Sequence, residues 1–327
     1  MDKLLFICGP TSTGKTSIAL KLASKFNGEL ISADSRQIYK GLDIGTGKDI
    51  PKNTKFFMVN QELNIKDDKY TYGYYDVDGI PVWLLDLARP DQNFTVAHYL
   101  EVAHKTVKKI KEKKHLPIFV GGTGLYVSSF INPPETIDIP PDMNLRKHLS
   151  KKNIKELTDI LIDIDKSKWL IMNYSDKNNP RRLQRAIEIG YYKKRNMNKP
   201  VLSLLKTDNM LIGLKYANNK LKDRINKRVD ERIKQGIQKE ITKLVTVGYS
   251  WDMQSMQTLG YKEWQSYFNH KTSLNCTIDL WKKNEYKYAK RQITWFTKMK
   301  DIIWFNTENK EYVIDIVEMI RKWYTKK

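Results

Sequence analysis

Eight consecutive residues restrict this chain more than any others: Gly9-Pro10-Thr11-Ser12-Thr13-Gly14-Lys15-Thr16. They match G-x-x-x-x-G-K-[ST] at every fixed position, with an apolar run (Leu4–Cys8) before them and an amphipathic stretch after them. Gly9 and Gly14 let the backbone curl so that successive N–H groups face phosphate oxygens, and a helix N-terminus adds its positive dipole end. Lys15 supplies a mobile charge, and the Thr16 hydroxyl suits an octahedral Mg²⁺ shell. A phosphate compound is therefore expected on this loop. The motif alone leaves its identity open, with ATP as the usual occupant.

Further apolar runs read as buried parallel strands: Glu29–Ala33, Val82–Leu87, Leu116–Val120 and Ile302–Phe305. Thr16–Phe26, capped by Asn27-Gly28, and Val96–Lys114 read as helices between them. This alternation predicts an α/β fold, a doubly wound, P-loop NTPase-like parallel sheet. Tyr70–Trp83 alternates around Asp78-Gly79, a hairpin inserted before a core strand. Four prolines in Ile131–Pro141 mark a boundary, and the stretch up to residue 205 reads as a basic helical insertion. The expected division is a core of residues 1–135 and 206–327 with an inserted helical lobe, 136–205. Leu221, Ile225, Val229, Ile233, Ile237 and Ile241 predict one long helix.

Among the 327 residues, 58 Lys+Arg against 37 Asp+Glu leave a net charge of +21. A polyanionic partner accounts for that excess, and so does a compositional bias toward Lys, Asn and Ile. The Lys105–Lys114 run reads as a solvated helix face. With two cysteines, Cys8 and Cys276, neither a disulfide framework nor a C-x-x-C metal site is available. No apolar stretch approaches the ~18–20 residues that span a bilayer. A cytoplasmic protein without membrane contact is expected, and no N-K-x-D guanine motif occurs.

Ile31–Tyr39 places Asp34 at the carboxyl end of a core strand, the edge that faces the ligand crevice in a doubly wound sheet. A carboxylate there suits magnesium ligation or removal of a proton from a nucleophile, and it also suits a helix N-cap. Asp86, ending Trp83-Leu84-Leu85-Asp86, reads equally as a Walker-B-type strand end or as a turn cap. Trp281, Trp295 and Trp304 are expected in the core.

Six ordered motifs carry a more specific resemblance: GPTSTGKT, ISADSRQIYKGLDIGTGK, LPIFVGGTGLY, NPRRLQRAIE, LGYKE and YAKRQITWF. From Gly9 to Phe296 the chain resembles the tRNA dimethylallyltransferase (tRNA isopentenyltransferase) family. The resemblance implies that dimethylallyl pyrophosphate, with Mg²⁺, occupies the loop Gly9–Thr16. It implies that the acceptor is the adenosine 3′ of the anticodon in the tRNA anticodon stem-loop, everted into a channel. Asp34 then matches the general base and Gln37 a reader of the adenine edge, within a tRNA-touching segment that includes Ser35 and Arg36. Thr16 and Arg224 match groups that hold the pyrophosphate, with Lys15 beside them. Thr123, Arg146, Arg181, Arg182, Arg185, Lys290, Arg291 and Gln292 match tRNA contacts. Read without the resemblance, Arg181, Arg182 and Arg185 fit better an ordinary helix surface or partners for Glu188 and nearby carboxylates.

Departures from the family pattern are Val82-Trp83-Leu84 in place of His-His-Leu, the hairpin at Asp78-Gly79, and Glu285-Tyr286 in place of Thr-Arg. No zinc finger occurs, so the bacterial branch is expected; a monomer is also expected. A small-molecule kinase, an isopentenyltransferase of free nucleotides, and an RNA-binding protein without catalysis are the alternatives. The basic helical stretch speaks against the first two, and the intact Lys15, Thr16 and Asp34 set speaks against the third.

Overall fold

A computed structural model describes residues 2–66, 68–195 and 207–326. The chain opens with β1 (Asp2–Cys8), α1 (Lys15–Phe26) and β2 (Gly28–Ser32). A meander follows, formed by β3 (Phe56–Ile65), β4 (Asp68–Val77) and β5 (Ile80–Trp83). Next come α2 (Val96–Glu112), β6 (Leu116–Val120) and α3 (Gly124–Ile131). Four helices then run in succession: α4 (Met143–Leu149), α5 (Ile154–Ile171), α6 (Tyr174–Lys177) and α7 (Pro180–Arg195). The remainder is β7 (Thr207–Lys215), α8 (Asn218–Gln235), α9 (Ile237–Thr246), α10 (Gln265–Phe268), α11 (Leu274–Phe296), β8 (Ile302–Asn306) and α12 (Tyr312–Thr325).

The described residues form two compact units, 2–132 with 207–326, and 133–195. Residues 196–205 of the expected lobe lie outside the described residues. The first unit holds one sheet in the order β3-β4-β5-β2-β6-β1-β7-β8. From β5 to β8 every neighbour is parallel, and β3 and β4 extend the β5 edge in antiparallel fashion. β1 is apolar on both faces because both are covered. Leu5 and Ile7 meet Ile18 and Leu22 of α1 and Ile316 and Ile320 of α12. Phe6, on the other face, stacks on Phe119 at 4.7 Å, and Phe130 of α3 closes over both. This is the doubly wound α/β sheet that the strand–helix alternation predicts.

Several sequence readings are corrected. The hairpin at Asp78-Gly79 joins β4 to β5, so its second arm is itself a core strand; β5 ends at Trp83, ahead of the left-handed Leu84 and Asp86. β3 and β7 were not anticipated. The long helix from Leu221 is two helices, because Gly236 adopts a left-handed φ of 96° and caps α8 onto Arg232 and Ile233.

The second unit buries Leu149, Leu157, Leu161, Met172, Leu183 and Ile187 together. α4 to α6 each start on a side-chain cap, from Asp142, Asn153 and Asn173.

Candidate active site

At the exit of β1 the chain passes so close to β7 that a Cβ on Gly9 would lie 2.5 Å from the Leu214 carbonyl oxygen, at a φ of +132°. Only glycine fits there. The loop is braced from within by the Thr13 hydroxyl and the Lys15 ammonium, which donate to the Pro10 carbonyl at 2.9 and 2.7 Å. α1 begins at Lys15 without a side-chain cap, so its first amides stay open to a ligand. Burial, reinforced by the Arg228 charge, lowers the Lys15 ammonium to about 8, against an opposing pull from Asp34.

Asp34 stands just beyond β2, and β6 lies between β2 and β1. No helix follows it. Its carboxylate accepts the Arg36 amide at 3.0 Å in a tight turn, so the helix-cap alternative is not realised. Thr123 fixes the same turn, its hydroxyl accepting the Ser35 amide at 3.0 Å. The Arg36 guanidinium lies 4.6 Å from the ring centre of Tyr288 on α11. The Gln37 amide is held by Ser32 at 3.2 Å and donates to the Gly47 carbonyl at 2.9 Å.

One cavity of about 630 Å³ is lined by Thr11, Ser12, Gly14, Lys15, Thr16, Asp34, Arg36, Gln37, Arg224 and Gln292 among others. The loop, the carboxylate and the α8 arginine thus share a single space, of a size usual for small-molecule sites (about 300–1,000 Å³).

α8 brings three arginines to that space at intervals of four residues, and the sequence reading had found only the first. Arg224 donates to the Ser12 carbonyl at 2.8 Å. Arg228 reaches the Thr11 hydroxyl at 3.1 Å and pairs with Asp49. Arg232, buried, donates to Glu285 at 3.0 Å and keeps its Nε without a partner. The i, i+4, i+8 spacing from Arg224 was the available signal. Glu285, a departure from the family pattern, is thereby the counter-ion of Arg232.

Neither reading of Asp86 holds. Its carboxylate pairs with the buried Lys48 and accepts the Tyr75 hydroxyl at 2.5 Å, so it is locked away from the cavity. Among the described residues no group of three His, Cys, Asp or Glu could cage a metal. The Thr16 hydroxyl in the cavity fits an ion completed by water and ligand phosphate oxygens, which is the habit of Mg²⁺.

Gln292 is only 4% exposed. It accepts the Thr11 amide and donates to the Gly122 carbonyl, each at 2.9 Å, which makes it a brace of the glycine loop. Lys290 and Arg291 on the same helix are exposed, over the rings of Tyr286 and Tyr288. Trp281 is buried as expected, whereas Trp295 is 41% exposed and lies against Gly124. In the helical unit, Arg146 and Arg185 both grip buried Glu188, at 2.9 and 2.5 Å, as the ion-pair alternative had it for Arg185. Arg182 pairs with Asp176, and Arg181 is exposed.

Sheet and cavity together define an α/β class whose first strand delivers a G-x-x-x-x-G-K-T loop into a crevice shared with an acidic strand end. The family model for IPP transferase matches residues 37–299, and that for isopentenyl transferase matches residues 2–67. The chain belongs to the IPP transferase family. The tRNA dimethylallyltransferase of Acetivibrio thermocellus is 38% identical over 315 residues, covering 94% of this chain and 93% of that one. The tRNA isopentenylpyrophosphate transferase of Bacillus halodurans superposes with a TM-score of 0.68 at 34% identity, over 98% of this chain and 96% of that one. A eukaryotic dimethylallyltransferase acting on tRNA shares the fold, with a TM-score of 0.71 at 22% identity over 94% of this chain and 74% of that one.

Proposed function

We propose that this chain transfers the dimethylallyl group of dimethylallyl pyrophosphate to the N6 amine of the adenosine 3′ of the anticodon in tRNA, releasing diphosphate. The observation that carries the reading is the cavity that Lys15, Thr16 and Arg224 share with Asp34 and Gln37. Family membership and relatives bearing that name support it.

Loop amides, the Lys15 ammonium and the Arg224 guanidinium would bind the diphosphate and take up the charge that grows as the allylic C–O bond breaks. The exocyclic amine is a poor nucleophile, since its lone pair is delocalised into the ring. Asp34 removes its proton as the N6–C bond forms, and the C–O electron pair leaves on diphosphate. Gln37, fixed by Ser32 and Gly47, stands ready for the base edge with its remaining N–H. Mg²⁺, held by Thr16 and the diphosphate oxygens, would supply further neutralisation of the leaving group.

Purified protein should move label from dimethylallyl pyrophosphate onto tRNA carrying adenosine beside the anticodon. Label on free nucleotides alone, or phosphoryl transfer from ATP, would overturn the proposal.

A further inference from the structure

The segment Leu42–Asp49 forms one wall of the cavity through Gly45, Thr46, Gly47, Lys48 and Asp49. It is neither strand nor helix: turn bonds within it, from the Gly47 amide to the Ile44 carbonyl and from the Lys48 amide to the Asp43 carbonyl, each at 3.1 Å, are supplemented by contacts from other elements. Three consecutive amides converge on one carboxylate: Asp43, Ile44 and Gly45 donate to Glu240 of α9, at 2.9 to 3.3 Å. Consecutive N–H groups of this kind form an anion nest, here filled by a side chain of the same chain. The Tyr261 hydroxyl donates to the same carboxylate at 2.5 Å. The Tyr261 ring lies directly under Gly45, where an added Cβ would come within 2.4 Å of it. Gly260 also packs close to Gly45, whose carbonyl oxygen lies 2.5 Å from the place a Cβ on Gly260 would take. The LGYKE motif supplies both Gly260 and Tyr261.

What the wall holds explains why its shape matters. The Gly47 carbonyl accepts the Gln37 amide at 2.9 Å and Arg228 at 3.3 Å. Gln37 faces the acceptor side, and Arg228 reaches the phosphate loop through Thr11. The phosphate loop has its own brace in Gln292. Loosening the wall should therefore disturb the acceptor side more than the diphosphate side.

We propose that Glu240 and Tyr261 are positioning residues that preorganise the Asp43–Asp49 wall, and through Gly47 the Gln37 amide, for the acceptor nucleobase. This rests on the prenyl-transfer reading above. Glu240 touches no reacting atom; it acts through three backbone amides.

The test compares Glu240→Gln and Tyr261→Phe with the unaltered protein in two measurements. In Glu240→Gln a neutral amide faces a ring of donors, so exchange of the Asp43, Ile44 and Gly45 amides should accelerate by about tenfold or more. In labelled transfer, KM for tRNA should rise by about fivefold or more while KM for dimethylallyl pyrophosphate changes less than about twofold. Tyr261→Phe keeps the ring under Gly45 and should shift both measurements the same way by less. Unchanged amide protection would overturn the clamp, and faster exchange with both KM values unchanged would overturn its positioning role. Equal rises in both KM values would assign the pair to general stability. If the unaltered protein transferred no label, the functional reading would fall, and amide exchange would still decide the clamp. Should Glu240→Gln fail to fold, Tyr261→Phe carries both measurements.

Discussion

Glu188 is the sharpest place to perturb the helical unit. Its carboxylate, 2% exposed as a side chain, accepts the Asp142 amide at 2.7 Å, two Arg146 N–H groups at 2.9 Å and one Arg185 N–H at 2.5 Å. Glu188→Gln keeps the shape, removes the charge and points an NH₂ at cationic donors. Removing one member of a buried ion network costs about 3–5 kcal/mol. The Arg146 and Arg185 side chains are 41% and 32% exposed, so water screens them and the lower end of that range, about 3 kcal/mol, applies. For a unit this small, about 4 °C per kcal/mol converts the loss to a melting point roughly 12 °C lower. Calorimetry on the whole protein, with amide exchange across α7 to place the loss, measures it. A fall below about 4 °C would refute the claim that this network holds the unit together. The pH dependence has a definite sign. Burial pushes the carboxyl upward, but the hydrogen bonds from Arg146, Arg185 and the Asp142 amide outweigh it and hold it below its ordinary value. Its contribution is therefore complete above the unfolded value, near about 4.3, and is lost as pH falls through the depressed folded value.

Lys15 works in the opposite range. With its ammonium lowered to about 8, the free protein sheds that proton as pH rises past this point, while the unfolded chain retains it up to about 10.4. Stability should rise between these values and affinity for diphosphate should fall, with proton uptake on binding visible by calorimetry in buffers of different ionisation enthalpy; pH-independent affinity would count against the role of Lys15. Asp34→Asn should lower kcat by about 10²–10⁴ with tRNA affinity little changed, and near-normal turnover would remove Asp34 as the base. Gln292→Ala orphans the Thr11 amide, at a cost of about 1–3 kcal/mol, and should raise KM for dimethylallyl pyrophosphate more than KM for tRNA; the reverse order would return Gln292 to an RNA-contacting role.

What the sequence disclosed, and what it hid, follows the range of the interactions involved. The glycine loop is local: β1, the turn and α1 are contiguous, and eight residues announce them. β6 was legible to the residue because a strand covered on both faces reads as an unbroken apolar run. β7 was missed because Asp208 and Asn209 open it and Gly213 interrupts it, and that glycine is explained only by the Ile302 and Trp304 side chains packed against it. Gln292 was expected from the family resemblance as a tRNA contact, and its brace of the glycine loop was not legible, since its two backbone partners lie far away in the chain. Asp86 was misread for the same reason: Lys48, which neutralises it, arrives from a loop whose path no periodicity records.

Gly236 joins two helices that serve different parts of the crevice. On one side of this left-handed residue, α8 carries Arg224, Arg228 and Arg232 to the phosphate end of the crevice. On the other, α9 carries Glu240 to the amides of Asp43, Ile44 and Gly45. A rigid arm for the departing anion and a rigid arm for the incoming base thus share one elbow. The Asp43–Asp49 wall is therefore gripped from both sides of the elbow, since Arg228 of α8 also reaches the Gly47 carbonyl at 3.3 Å and pairs with Asp49.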